Sequence, residues 1–188
     1  MSFDRPRELT DPKAMRALAH PVRLALLEAL ADAGTLTATE AGERVGESPA
    51  NASFHLRQLA KYGFVVEAEG GTGRKRPWKL KHLGMRFSDV QDDQELAGAA
   101  RALSQVTFDR ALDRARRGLD ERHAQPEAWR AVTGLNQMRL YLTPEEMKAM
   151  DDEIVELLLT KFADRRVPSP DQPEGAERVE ILTIAYRV

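Results

Sequence analysis

Gly46–Val65, GESPANASFHLRQLAKYGFV, carries the clearest structural signal in the chain. Ser48 is a good N-cap, because its hydroxyl accepts an orphan backbone N–H, and Pro49 suits the first helical position. Ala52, Leu56 and Leu59 follow at i, i+4 and i+7, which is a core stripe. Ala50, Asn51, Phe54, Arg57, Gln58 and Lys61 fall away from that stripe on a helical wheel. In a DNA major groove Asn and Gln suit adenine and Arg suits guanine. The spacing therefore predicts a helix with one packed face and one face fit to read bases, ended by Gly63.

The residues before it supply a second helix. Thr37 and Glu40 form a T-x-x-E capping box, Ala41 and Val45 give apolar contacts, and Gly46 stands where a left-handed residue stops a helix. Gly46-Glu47-Ser48 is a three-residue turn, the length expected between the helices of a helix-turn-helix; the alternative is a plain helical hairpin in an unrelated all-α domain. Downstream, FVVEAE reads as a strand, Gly70-Gly71-Thr72-Gly73 as a turn, and RKRPWKLK as a returning strand with Trp78 and Leu80 alternating against charged neighbours. Pro77 cannot donate to a ladder, so that strand must be an edge or irregular there. A hairpin with a basic arm after a helix-turn-helix is a wing, and Arg74, Lys75 and Arg76 at its tip are placed to reach phosphate or the minor groove; taken alone they fit a solvated turn equally. Upstream, Asp11-Pro12 and His20-Pro21 are cap-plus-Pro helix starts, with Leu26, Leu27 and Leu30 as an apolar face and Ala33-Gly34 as its end. Four helices and a hairpin make a winged helix.

LAHPVRLALLEAL, SPANASFHLRQLAKYGFVV and GRKRPWKL together resemble the winged-helix repressors of the ArsR type, most closely the larger bacterial branch with a C-terminal extension. The resemblance covers Lys13 to Gly84. It implies a dimeric, DNA-binding transcriptional regulator, with repression as the family default. Carried over by position, it implies DNA-facing roles for Ser48, Asn51, Ser53, Phe54, His55 and Arg57, with the wing at Arg74 to Arg76. For His55 a hydrogen bond within the motif fits as well as a DNA contact. The chain departs from the metal-sensing members: it has no cysteine. Asp109, Asp113, Asp120 and His123 form no recognisable ligand set, and pairing of these acids with Arg110, Arg114, Arg116 and Arg117 on a solvated helix is the expected role. No metal and no cofactor is expected.

Whole-chain charge is −2, yet residues 1–83 carry 13 Lys+Arg against 10 Asp+Glu, and residues 84–188 carry 15 against 20. Seven basic residues lie between Arg57 and Lys81 against Glu67 and Glu69. A basic footprint on one module is the signal of a nucleic-acid binder; this one is modest, which favours a dimer presenting two. No 18-residue apolar run marks a membrane span, and the first residues lack the apolar core of a secretory signal, so a cytoplasmic protein is expected. Enzyme motifs are missing: the glycines at 70, 71 and 73 lie in a hairpin and precede no helix, and no G-x-S-x-G or H-E-x-x-H occurs.

Residues from about Asp92 to Arg122 read as one long helix with a stripe including Leu96, Ala100, Leu103, Leu112 and Leu119. Such a stripe needs a cover; a twin helix from a second subunit is favoured over the chain's own C-terminal segment. Beyond it, NQMRLYL (Asn136–Leu142) alternates as a strand, Thr143-Pro144-Glu145-Glu146 opens a helix, residues 165–175 read as a loop, and VEILTIAYRV (Val179–Val188) reads as a second strand. Trp129, Met138, Tyr141, Met147, Met150 and Tyr186 are candidates for an apolar effector pocket, with plain core as the alternative. The expected fold is mainly α with small β: a winged helix-turn-helix domain over 1–84, then residues 85–188 holding a long dimerisation helix and a small α/β appendage. The expected function is a sequence-specific DNA-binding regulator, a homodimeric repressor of double-stranded DNA responsive to a small molecule. The alternative is a winged helix used for protein–protein contact, with no operator of its own.

Overall fold

The computed structural model describes residues 7–71, 76–82, 84–88, 90–162, 165, 169 and 171–188. Met1–Phe108 and Arg166–Gln172 cluster as one compact unit, Asp109–Arg165 and Pro173–Val188 as another.

The first unit begins with β1 (Arg7–Glu8), α1 (Pro12–Leu18) and α2 (Pro21–Ala33). Asp11 caps α1 by accepting Lys13 N–H at 2.9 Å, and His20 caps α2 through Nδ1, which accepts Val22 N–H at 3.2 Å. A short strand β2 (Thr35–Leu36) leads into α3 (Ala38–Val45), whose capping box is complete: Thr37 Oγ1 accepts Glu40 N–H, and Glu40 accepts Thr37 N–H at 2.7 Å. Gly46 ends α3 in the left-handed conformation, at φ 73°. Ser48 Oγ accepts Asn51 N–H at 3.2 Å and opens α4 (Pro49–Lys61). The two helices meet at Gly42, where an added Cβ would lie 2.7 Å from the Glu47 carbonyl oxygen and 3.3 Å from Ala52 Cβ. Glycine is what lets the turn fold back this closely.

The wing follows as β3 (Val65–Glu67) and β4 (Trp78–Leu80). β4 lies between β2 and β3, antiparallel to both, with Val65 opposite Leu80 and Leu36 opposite Trp78. The strands are shorter than the sequence suggests. Pro77 sits just before β4, and only its carbonyl is used, accepting Ala68 N–H at 2.8 Å. The pairing of β2 with β4, and that of β1 with β5 (Met85–Arg86) in parallel, are not visible in the sequence, since two-residue strands carry no periodicity.

The long helix, α5 (Gln94–Asp120), carries on into a 3-10 turn at Glu121–Ala124. Its first turns do not wait for a second subunit. Ala99, Ala100 and Leu103 are buried in the same core as Met15, Leu18, Leu26, Leu30, Leu56, Leu59 and Val65. Leu96 packs partly against that core. This corrects the expected dimer stripe: Ala100 and Leu103 are covered by the chain's own winged domain. Leu112 is half-buried and Leu119 exposed.

The second unit continues with α6 (Glu127–Val132), α7 (Pro144–Glu156) and a π-helical turn at Leu157–Lys161. The Thr143–Glu146 capping box forms as expected, with Thr143 N–H donating to Glu146 at 2.8 Å. The two expected strands do not pair. Among the described residues, the only sheets are the two of the first unit, so the C-terminal part is helical with extended segments rather than α/β. A strand needs a partner ladder, and Asn136–Leu142 and Val179–Val188 find none among the described residues of this chain.

Candidate nucleic-acid interface

α4 is placed by its stripe: Ala52, Leu56 and Leu59 are fully buried. The opposite face is open. Ser48, Ala50, Phe54, Arg57 and Lys61 are exposed, while Asn51, Ser53 and Gln58 are half-buried. Two of its polar side chains are bonded to neighbours on the same module. Arg57 Nη1 donates to Ser53 Oγ at 2.6 Å, one turn back, and Asn51 Nδ2 donates to Glu47 Oε2 at 2.5 Å. Each bond limits the rotamers that a DNA contact would otherwise have to freeze. Phe54, half exposed between them, offers an apolar surface of the kind that meets a thymine methyl.

His55 is the exception among the expected DNA-facing residues. It is 7% exposed and lies inside the domain, its ring 4.7 Å from that of His20 and edge-on to Phe54 at 5.2 Å. The reason is helical geometry: His55 is three residues after Ala52 and adjoins Leu56, so it falls on the flank of the core stripe. Its Nδ1 is buried with no hydrogen-bond partner among the described residues, as is Nε of Arg23. Burial, and then the nearby Arg23 guanidinium, hold the His55 pKa below its ordinary value, against a smaller opposite pull from Glu47. His20 is shifted the same way by burial, Arg23 and His55. Both rings are therefore neutral at physiological pH, and His20 Nδ1 remains the acceptor its cap requires.

Of the expected wing cations, Arg74 and Lys75 lie outside the described residues. Arg76 is exposed and ion-paired with Glu67 across the hairpin at 2.8 Å. Lys79, on β4, is also exposed, opposite in phase to the half-buried Trp78 and Leu80; the strand alternation that singled out Trp78 and Leu80 also marks it. Glu47 was not foreseen as part of this face. The signal for it was its i, i+4 spacing to Asn51. Arg7 fixes the strand that leads into the wing. Its guanidinium donates to the Tyr62 carbonyl at 2.7 Å and lies 4.8 Å over the Phe64 ring.

The six residues expected to line an effector pocket differ in burial. Trp129, Met147 and Met150 are half-buried, whereas Met138, Tyr141 and Tyr186 stand in the open. Asp113 pairs with Arg116 at 3.3 Å, a surface pair of little energetic weight. Among the described residues there is no group of three or more His, Asp or Glu side chains that could hold a metal ion. Nor, among them, is any helix long and apolar enough to cross a membrane.

No curated protein matches the chain. Residues 18–68, from the end of α1 through β3, match the model of a family described as helix-turn-helix domain, and over that span the chain is similar to the DNA-binding module of transcription regulators.

Proposed function

We propose that this chain is a sequence-specific, DNA-binding transcriptional regulator of the ArsR-like winged-helix kind, a cytoplasmic homodimer that represses by occupying its operator, and that it is not an enzyme. One observation carries the reading. The helix following the α3–α4 turn presents Asn51, Phe54, Arg57 and Gln58 outward from a fully packed scaffold. These are the residue types that read base edges in a major groove. Arg76 and Lys79, both exposed on the wing, extend the same module toward the DNA backbone, where contacts position rather than specify.

A mobility-shift titration on the promoter region upstream of the protein's own gene, against random DNA of equal length, tests it. Specific binding that survives physiological salt is expected. Weak, equal binding to both DNAs would overturn the proposal and leave a winged helix that contacts another protein.

A further inference from the structure

The second unit has an apolar composition without an apolar interior. Among its described residues only Ala111 is buried. Its two extended segments carry most of what is left open. Ile181 is 66% exposed, Val188 94%, and Tyr141 fully. Both segments have strand chemistry. Val179–Val188 is rich in β-branched side chains, and its two faces are both apolar, Val179 and Ile181 on one and Leu182, Ile184 and Tyr186 on the other. A strand apolar on both faces is one built for burial on both sides. Among the described residues, no backbone hydrogen bond joins 135–142 or 179–188 to any other part of the chain. Extended backbone with open donors and acceptors is a template for another strand.

We propose that these two segments are the interface of the homodimer: Leu135–Leu142 and Val179–Val188 of one chain enter a shared sheet with the same segments of a second copy. The inference rests on the homodimer of the proposed function and names its surface. The area argues for a copy of this chain. The exposed apolar residues of the two segments present on the order of 1,500 Å² per chain, where a standard-size interface covers about 800 Å² per partner. One two-fold axis would bury this surface on both chains at once, because the same patch meets itself. One anchor is already set: Arg114 on α5 binds Glu180 through two bonds, Nε at 2.8 Å and Nη2 at 2.6 Å. That fork holds the Val179–Val188 segment against its own helix by the Glu180 side, and its backbone edges stay open to a partner.

The test uses the full chain. Sedimentation at micromolar concentration reads the mass, and amide hydrogen exchange at micromolar and nanomolar concentration reads the two segments. The expected mass is twice 21.0 kDa, with both segments protected at the higher concentration and unprotected on dilution. Ile184→Pro, which removes a ladder donor, should halve the mass while the amides of α2 and α4 keep their protection. A monomer at micromolar concentration overturns the proposal. So does a dimer whose two segments exchange freely, a protection that survives dilution to monomer (the segments then pair within one chain), or an Ile184→Pro variant that stays dimeric. Should Ile184→Pro fail to fold, the exchange measurement on the unmodified chain decides alone. A monomer that still binds its operator specifically would sink this interface and leave the DNA-binding reading standing.

Discussion

At the scale of single residues, the face of α4 separates two kinds of side chain that stand next to each other in the sequence. Arg57 and Gln58 face outward and are suited to base edges; a bidentate contact discriminates by about 1–3 kcal/mol. Arg57→Ala and Gln58→Ala should each relax preference at particular operator positions while binding to random DNA persists. An equal drop on specific and random DNA, measured by competition titration, would reduce both residues to backbone contacts. His55 belongs to the other kind. With His20 it forms a neutral pair whose pKa values are both lowered, burial being the larger cause and Arg23 the next. The unfolded chain takes up protons near the ordinary histidine value of about 6.5, before the folded chain does. Stability is therefore full above that pH and falls as the pH drops below it toward the folded values. Protonation also removes the acceptor that caps α2. Thermal melts from neutral to mildly acid pH should show the decline. His20→Asn, which keeps a capping side chain but cannot titrate, should flatten part of it; an unchanged slope in that variant would place the effect elsewhere.

At the scale of elements, what the sequence discloses and what it hides follow from how local each interaction is. α1 to α4 are legible because their caps are written within three residues of their starts, at Asp11, His20, Thr37 and Ser48, and their stripes repeat every turn. The wing is legible as a pair of strands, but β2 is not, since Thr35–Leu36 becomes a strand only by lying beside β4. The C-terminal strands fail for the same reason in reverse: NQMRLYL alternates and VEILTIAYRV is β-branched and apolar on both faces, but neither has a ladder among the described residues. α5 shows the limit of a stripe, which announces burial without naming what does the burying. Its first half closes the winged core, so Leu103→Glu should place a carboxyl group without a partner inside that core; an unpaired polar group there costs roughly 2–7 kcal/mol even when neutral, and an ionised one far more. Chemical denaturation should show the winged domain itself losing stability. Leu119→Glu, at an exposed position, should leave the denaturation midpoint nearly unchanged. Equal effects from the two variants would contradict the buried placement of Leu103. The wing answers to another measurement. If Arg74, Lys75 and Arg76 each neutralise a phosphate, replacing all three by Gln should lower the slope of log affinity against log salt by about 0.9 per phosphate left unneutralised. A slope left unaltered would remove the wing from the interface.

At the scale of the whole molecule, the modest charge of one module favours the proposed dimer. Seven basic residues between Arg57 and Lys81 face two acids there, and Arg76 is already partnered by Glu67. A footprint that weak binds non-specific DNA poorly on its own, because the phosphate term supplies nearly all of that affinity. Two footprints on one two-fold dimer make the second contact intramolecular, and the local concentration of the second module then supplies what its charge does not. Geometry follows from the same symmetry. Two copies of α4 in successive major grooves on one side of the duplex require half-sites roughly 34–36 Å apart, one helical turn, related as a pseudo-palindrome. Footprinting on a selected operator should show two protected half-sites with that spacing. Inserting five base pairs between them would turn one half-site to the opposite side of the duplex by about half a helical turn. Affinity should then fall to the level of a single half-site, and inserting a full turn should restore part of it if the joint between the two modules can stretch. Binding indifferent to the five-pair insertion would mean that each module acts alone, and the dimer would have no part in recognising the operator.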